Sequence, residues 1–218
     1  TVGANGVARV WDSRNGQALY QLPPSNVGLI RVLFSPDGRL LLTASDNDDN
    51  GTVRLWNAVD GSFVRLLDTP KYRMWSDTFS PDGKRLVTAG QTGLVKVWEV
   101  ATGRQLLQLH GHVGTITGVS FSPDGTRLAT SSLDGTVKLW DSSTGVELLS
   151  LRAIGGTPWA VRFSPDGSHL VITAGQTISV IALLPEELVR IARARLTRSL
   201  TAEECQQYLH LDACPSEP

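Results

Sequence analysis

In 218 residues, 20 Lys and Arg stand against 21 Asp and Glu, a formal charge of −1. That balance argues against nucleic acid or an anionic membrane as the main partner, because both ask for a basic surface. No apolar stretch approaches the roughly 18–20 residues of a membrane span, and Thr1-Val2-Gly3-Ala4-Asn5-Gly6 has neither the basic nor the apolar part of a signal peptide. With two cysteines, too few to staple a fold of this size, the expectation is a soluble, cytoplasmic protein with reduced thiols.

Taken in chain order, the predicted elements repeat. Residues 6–12 and 17–22 read as two short strands joined by a turn that ends at Gly16. Residues 24–69, 70–110 and 111–152 then each read as four antiparallel strands, and 153–182 as three. Three markers hold one register. Ser-Pro-Asp-Gly begins at Ser35, Ser80, Ser122 and Ser164, in steps of 45, 42 and 42 residues. Trp11, Trp56, Trp98 and Trp140 keep the same steps, as do Gly16, Gly61, Gly103 and Gly145. Pro presets the φ of a type I turn, Asp suits the next position and Gly accepts the left-handed exit, so each Ser-Pro-Asp-Gly joins two strands of a hairpin. Four short strands in about 42 residues is the unit of a propeller blade. The sequence therefore predicts an all-β propeller of four-stranded blades, a partial ring of four to five, over residues 1–183.

Beyond it, Pro185-Glu186-Glu187 opens a helix, and Thr201 with Glu204 makes a capping box for a second. Residues 184–218 are expected to be a helical tail. Arg190, Arg193, Arg195 and Arg198 scatter around the first helix, which fits a solvated face better than a nucleic-acid stripe.

Gly111-His112, Phe121-Ser122-Pro123-Asp124-Gly125 and Asp134-Gly135-Thr136-Val137-Lys138-Leu139-Trp140-Asp141 resemble a near-consensus WD repeat. The resemblance covers about residues 6–182. It implies a hydrogen-bonded tetrad of His112, Thr130 or Ser132, Asp134 and Trp140, whose role is structural. Other repeats depart from it: Gln91-Thr92-Gly93 stands where Asp-Gly is expected before Trp98. The resemblance also implies a protein-binding scaffold rather than an enzyme. The alternative is the propeller of a hydrolase or transport accessory protein, where Ser-Pro-Asp-Gly also recurs. The missing fourth strand of the last unit suggests the C-terminal part of a longer propeller, although a five-membered ring is the other option. Residues 192–201 with Glu203-Glu204-Cys205 and Tyr208-Leu209-His210 resemble tails that close WD-repeat regions of bacterial STAND-type NTPases and related signalling proteins. That likeness implies further blades or an effector domain on the same parent chain.

For catalysis there is no nucleophile elbow, P-loop or His-Glu-x-x-His, and nothing calls for a cofactor. Of the histidines, His112 belongs to the tetrad, and His169 follows a turn and is expected in solvent. Asp46-x-Asp48-x-Asn50-Gly51 has the oxygen spacing of a calcium loop, but Asn57 stands where a bidentate Glu would be needed, so a polar hairpin tip is the preferred reading. Cys205, His210 and Cys214 offer three zinc-type ligands where structural sites use four, and a disulfide between the two cysteines is the other option. The candidate protein-binding residues lie near the start of the innermost strands. Counting back from each Ser-Pro-Asp-Gly, Trp75 and Trp159 stand five before, and Asp77 interrupts the Val of the third slot. With Arg73 they form an aromatic and charged set typical of binding anchors. Alternatively, both Trp pack between blades.

Overall fold

A computed structural model describes residues 1–3, 5–25, 28–45, 52–67, 69 and 74–183. The chain divides into two units, Thr1–Ile181 and Ala182–Pro218. The expected helical tail, Asp46, Asp48 and Asn50 of the polar hairpin, and Cys205, His210 and Cys214 lie outside the described residues.

Every element among the described residues is a strand, and the sheets follow chain order. β1 (Arg9–Trp11) pairs with β2 (Ala18–Gln21). β3 (Leu29–Phe34), β4 (Leu40–Ser45), β5 (Val53–Asn57) and β6 (Phe63–Leu67) form the second sheet. β7 (Met74–Phe79), β8 (Arg85–Gly90), β9 (Val95–Glu99) and β10 (Gln105–Leu109) form the third. The fourth holds β11 (Ile116–Phe121), β12 (Arg127–Ser132), β13 (Thr136–Asp141) and β14 (Glu147–Arg152). β15 (Pro158–Phe163), β16 (His169–Ala174) and β17 (Thr177–Ala182) make a three-stranded fifth. Within each sheet, neighbours in sequence are neighbours in space and the strands alternate in direction.

The sequence markers fix this geometry locally. In each Ser-Pro-Asp-Gly turn the serine hydroxyl donates to the aspartate, at 2.6 Å in the second sheet and 2.5 Å in the other three. The same carboxylate accepts the backbone N–H two residues on, at 3.0 Å every time. These bonds favour the ionised form, and they hold Asp124 down at about 2 and lower Asp37, Asp82 and Asp166 as well. The Gly after each Trp closes the next turn. Gly145 has φ of 77° and donates its N–H to Asp141 O at 2.9 Å. A Cβ there would also come within 2.8 Å of Leu109 Cδ2 in the preceding sheet, so both backbone and packing call for glycine.

Sheets bury both faces, which explains strands that read as nearly continuous apolar runs. Leu41 joins Ala8, Leu22, Leu29 and Trp56 between the first and second sheets, while its neighbour Leu42 points the other way, to Leu55, Met74, Leu86 and Trp98. Val87, next to Leu86, begins a third cluster with Leu109, Ile116, Leu128 and Trp140. Each such leucine, fully withdrawn from water, contributes about 1.5–3 kcal/mol.

The innermost strands approach closely. Ser76 Oγ in β7 accepts Val119 N–H of β11 at 3.1 Å, and Ser120 Oγ in β11 accepts Phe163 N–H of β15 at 3.4 Å. A Cβ on Gly118 would stand 3.1 Å from Ala160 Cα across that gap. Arg162 of β15 lies close enough to Arg31 of β3 that the second cation adds to burial in lowering its pKa. The inner strands of four sheets thus gather about one hub.

At the Ser-Pro-Asp-Gly end, arginines clamp adjacent sheets. Arg85 donates from Nη1 to Ser142 O at 2.8 Å and from Nη2 to Gly125 O at 2.7 Å, with its guanidinium 5.2 Å over the Phe121 ring. Arg127 repeats this on the fifth sheet, reaching Gly167 O at 2.9 Å and Phe163 at 5.4 Å. Arg85→Met keeps the aliphatic stem and is expected to cost about 1–3 kcal/mol. Urea unfolding at neutral pH measures it.

Candidate protein-binding surface

The candidate surface lies at the other end of the inner strands, where their pairing is irregular in a regular way. β3, β7, β11 and β15 each shift register against their neighbour near the start, so that Ile30, Trp75, Thr117 and Trp159 fall in equivalent bulges. A bulge inserts one unpaired residue and re-aims its side chain. For the two tryptophans the result is exposure: Trp75 is 44% and Trp159 57% accessible. The alternative of burial between blades is therefore not what the fold adopts. They stand on the third and fifth sheets, with β11 packed between β7 and β15. Arg73 lies outside the described residues.

Asp77 corrects the expectation. Placed on the binding surface by its position in the strand, it has a side chain only 1% exposed, where it meets Arg31 from β3. The two meet as a close, buried ion pair. Burial dominates, and the carboxyl is pushed up to about 6 although Arg31 pulls the other way. Arg31 also donates to Trp75 O at 3.4 Å and to Asp77 O at 3.5 Å, so it fixes the strand that presents Trp75. Sequence reasoning missed Arg31. The signal was there: four residues before each Ser-Pro-Asp-Gly stand Arg31, Ser76, Gly118 and Ala160, three small residues and one large cation. Arg31 breaks the small slot in one sheet and Asp77 the apolar slot in the next.

Beneath the fourth sheet's surface lies the implied tetrad. Trp140 Nε1–H donates to Thr130 Oγ1 at 2.9 Å, and Thr130 is 2.7 Å from His112 Nε2, whose Nδ1 is 3.0 Å from Asp134 Oδ2. Since Thr130 Oγ1 already accepts from Trp140, its own proton goes to Nε2, and His112 is neutral with its proton on Nδ1 facing Asp134. Burial lowers the His112 pKa, more than Asp134 raises it, in agreement with a neutral imidazole. Asp134 is held at about 2 by Thr136, Val113 and His112 against its burial. Of the two hydroxyl candidates Thr130 is the member, and Ser132 instead accepts Asp134 N–H at 3.2 Å inside the turn. Elsewhere a remnant persists that the sequence pattern did not disclose: Trp56 donates to Thr43 at 2.9 Å and Trp98 to Thr88 at 2.8 Å. His169, expected in solvent, is half-buried with Nδ1 2.6 Å from Ser168 Oγ.

The family described as WD domain, G-beta repeat matches residues 16–57, 74–99 and 103–141. These segments are similar to WD repeats. No curated protein matches the chain. The first and third of the matched repeats begin at the outer strand of one sheet and end on the third strand of the next, so each of these two covalently ties two blades. The middle one covers β7–β9 alone. Among the described residues there is no cluster of potential metal ligands and no helix long and apolar enough to cross a membrane. WD repeats generally mediate protein–protein interaction, and a rigid hub with exposed aromatics suits that use.

Proposed function

We propose that the chain is a non-catalytic protein-interaction module that engages a partner through the hub end bearing Trp75 and Trp159. One observation carries this reading: two tryptophans, re-aimed by equivalent bulges, stand exposed at the same level of inner strands gathered about one hub. Large aromatics held on a rigid scaffold bury much area at small conformational cost, and they dominate binding energies. Arg31, backed by Asp77, holds the backbone that carries Trp75. The reading extends to a scaffold or sensor arm of a larger bacterial signalling protein, supported by the likeness of the tail to those of STAND-type NTPases. The low cysteine count supports a cytoplasmic setting.

The test is a double variant, Trp75→Ala with Trp159→Ala. Both side chains are exposed, and affinity for the cellular partner, identified by cross-linking to the wild-type chain, should fall at least about tenfold, with a melting curve of the variant reporting that it is folded. Unchanged affinity would remove this surface from the function.

A further inference from the structure

The arginine clamps show by repetition what one wedge of this fold lacks. Between the third and fourth sheets, and again between the fourth and fifth, a guanidinium enters beside the glycine of the next Ser-Pro-Asp-Gly turn. A Cβ at Gly125 would lie 3.5 Å from Arg85 Nη2, and one at Gly167 3.5 Å from Arg127 Nη2. Between the second and third sheets the same register position is Leu40, and beside Gly83 only Pro36 Cδ comes within 4 Å. Leu40 packs against the cluster that holds Phe79 and Val100. A cavity of about 580 Å³ opens there, lined by Leu40, Gly83 and Val100 and by the acids Asp37, Asp82 and Glu99.

We propose that this wedge is a slot for an arginine side chain presented by a partner peptide. The carbonyls of Gly83 and Val100 occupy the register positions of Gly125 and Ser142, the two that Arg85 reaches from its separate Nη atoms. A forked donor fits that pair, and the single ammonium of lysine does not. Leu40 supplies an apolar wall for the aliphatic stem. Charge agrees. Asp37 and Asp82 are held ionised by their serine and backbone bonds. Of the two cations lining the cavity, Lys84 is exposed, and Arg85 turns its guanidinium away to Ser142 and Gly125. The slot lies at the opposite end of the inner strands from Trp75 and Trp159, so its fate and that of the hub surface are separable.

The experiment titrates the full chain with N-acetyl-L-arginine amide and follows the Gly83 and Val100 amide signals by NMR. Saturable shifts confined to this wedge are expected, with N-acetyl-L-lysine amide about tenfold weaker. Leu40→Arg fills the slot from within and should abolish the response, whereas Leu40→Met should keep it. If Leu40→Arg does not fold, Glu99→Gln on the rim serves instead, with a loss of about threefold. Equal response to both probes, or a response indifferent to Leu40→Arg and to Glu99→Gln, overturns the proposal. So does self-association that Leu40→Arg abolishes without any response to the arginine probe, which would assign the slot to a second copy.

Discussion

Asp77→Asn is expected to raise the melting temperature at pH 7, although Asp77 stands in an ion pair with Arg31. The usual reading of such a pair predicts the opposite. Here burial decides, because the carboxylate loses its water and the charge and hydrogen bond of Arg31 return only part of what is lost. A carboxyl pushed from 3.8 to about 6 carries its charge in the fold at a cost of about 3 kcal/mol relative to the unfolded chain. The sign follows directly. The native state binds this proton more tightly than the unfolded state, so the contribution is fully present below pH 3.8 and is lost as the pH rises through about 6. Asparagine removes the penalty and keeps the shape, and with some loss at Arg31 the net gain is about 1–2 kcal/mol, or about 2–8 °C for a chain of this length. Melting curves of both proteins from pH 4 to pH 8 test it, since the gain should shrink towards zero at the acid end. A lower melting temperature at pH 7 would show that the attraction of Arg31 outweighs desolvation. The cost makes sense beside the hub surface: Arg31 holds the backbone of Trp75, and Asp77 gives Arg31 a reason to stay.

Periodicity in the sequence reached the sheets because each marker acts locally. A Ser-Pro-Asp-Gly turn closes through bonds among its own six residues, and the glycine after each Trp does the same, so spacing alone gives the count and order of the strands. What a residue meets across a sheet boundary is not local. Asp77 and Arg31 lie 46 positions apart, and the oddity of each is visible only against its counterparts in other blades, so the sequence marks Asp77 as unusual without showing that it faces Arg31. Exposure of Trp75 and Trp159 depends on bulges, and no residue type in the sequence announces a bulge at Thr117 as well as at a tryptophan. The tetrad shows the middle case. Its His, Asp and Trp were implied by the resemblance to WD repeats, but the choice between Thr130 and Ser132 needed the structure, where Thr130 sits inside β12 opposite Lys138 and Ser132, the last residue of that strand, accepts Asp134 N–H instead.

Thr130→Val gives a second large effect, graded across the repeats. Valine has the branched shape of threonine with a methyl in place of the hydroxyl, so the chief loss is the hydrogen bonding. At Thr130 that hydroxyl serves two buried groups, Trp140 Nε1–H and His112 Nε2, and both are orphaned at once. Each unmet buried polar group costs about 1–3 kcal/mol, so the variant is expected to lose about 2–5 kcal/mol in urea unfolding. Thr88 receives the same bond from Trp98, at 2.8 Å. No histidine counterpart among the described residues shares that hydroxyl, so Thr88→Val should lose about 1–3 kcal/mol. The pH dependence separates the two further. His112 is held below 6.5 in the fold, so the wild type loses stability as the pH falls below that value and the unfolded chain takes up a proton that the native state resists. Without Thr130 to donate into it, Nε2 is freer to accept that proton, and the acid-side slope should flatten in Thr130→Val while staying unchanged in Thr88→Val. Equal losses in the two variants would mean that His112 contributes nothing through Thr130, and that the complete tetrad confers no more rigidity than the two-residue remnants in the neighbouring blades.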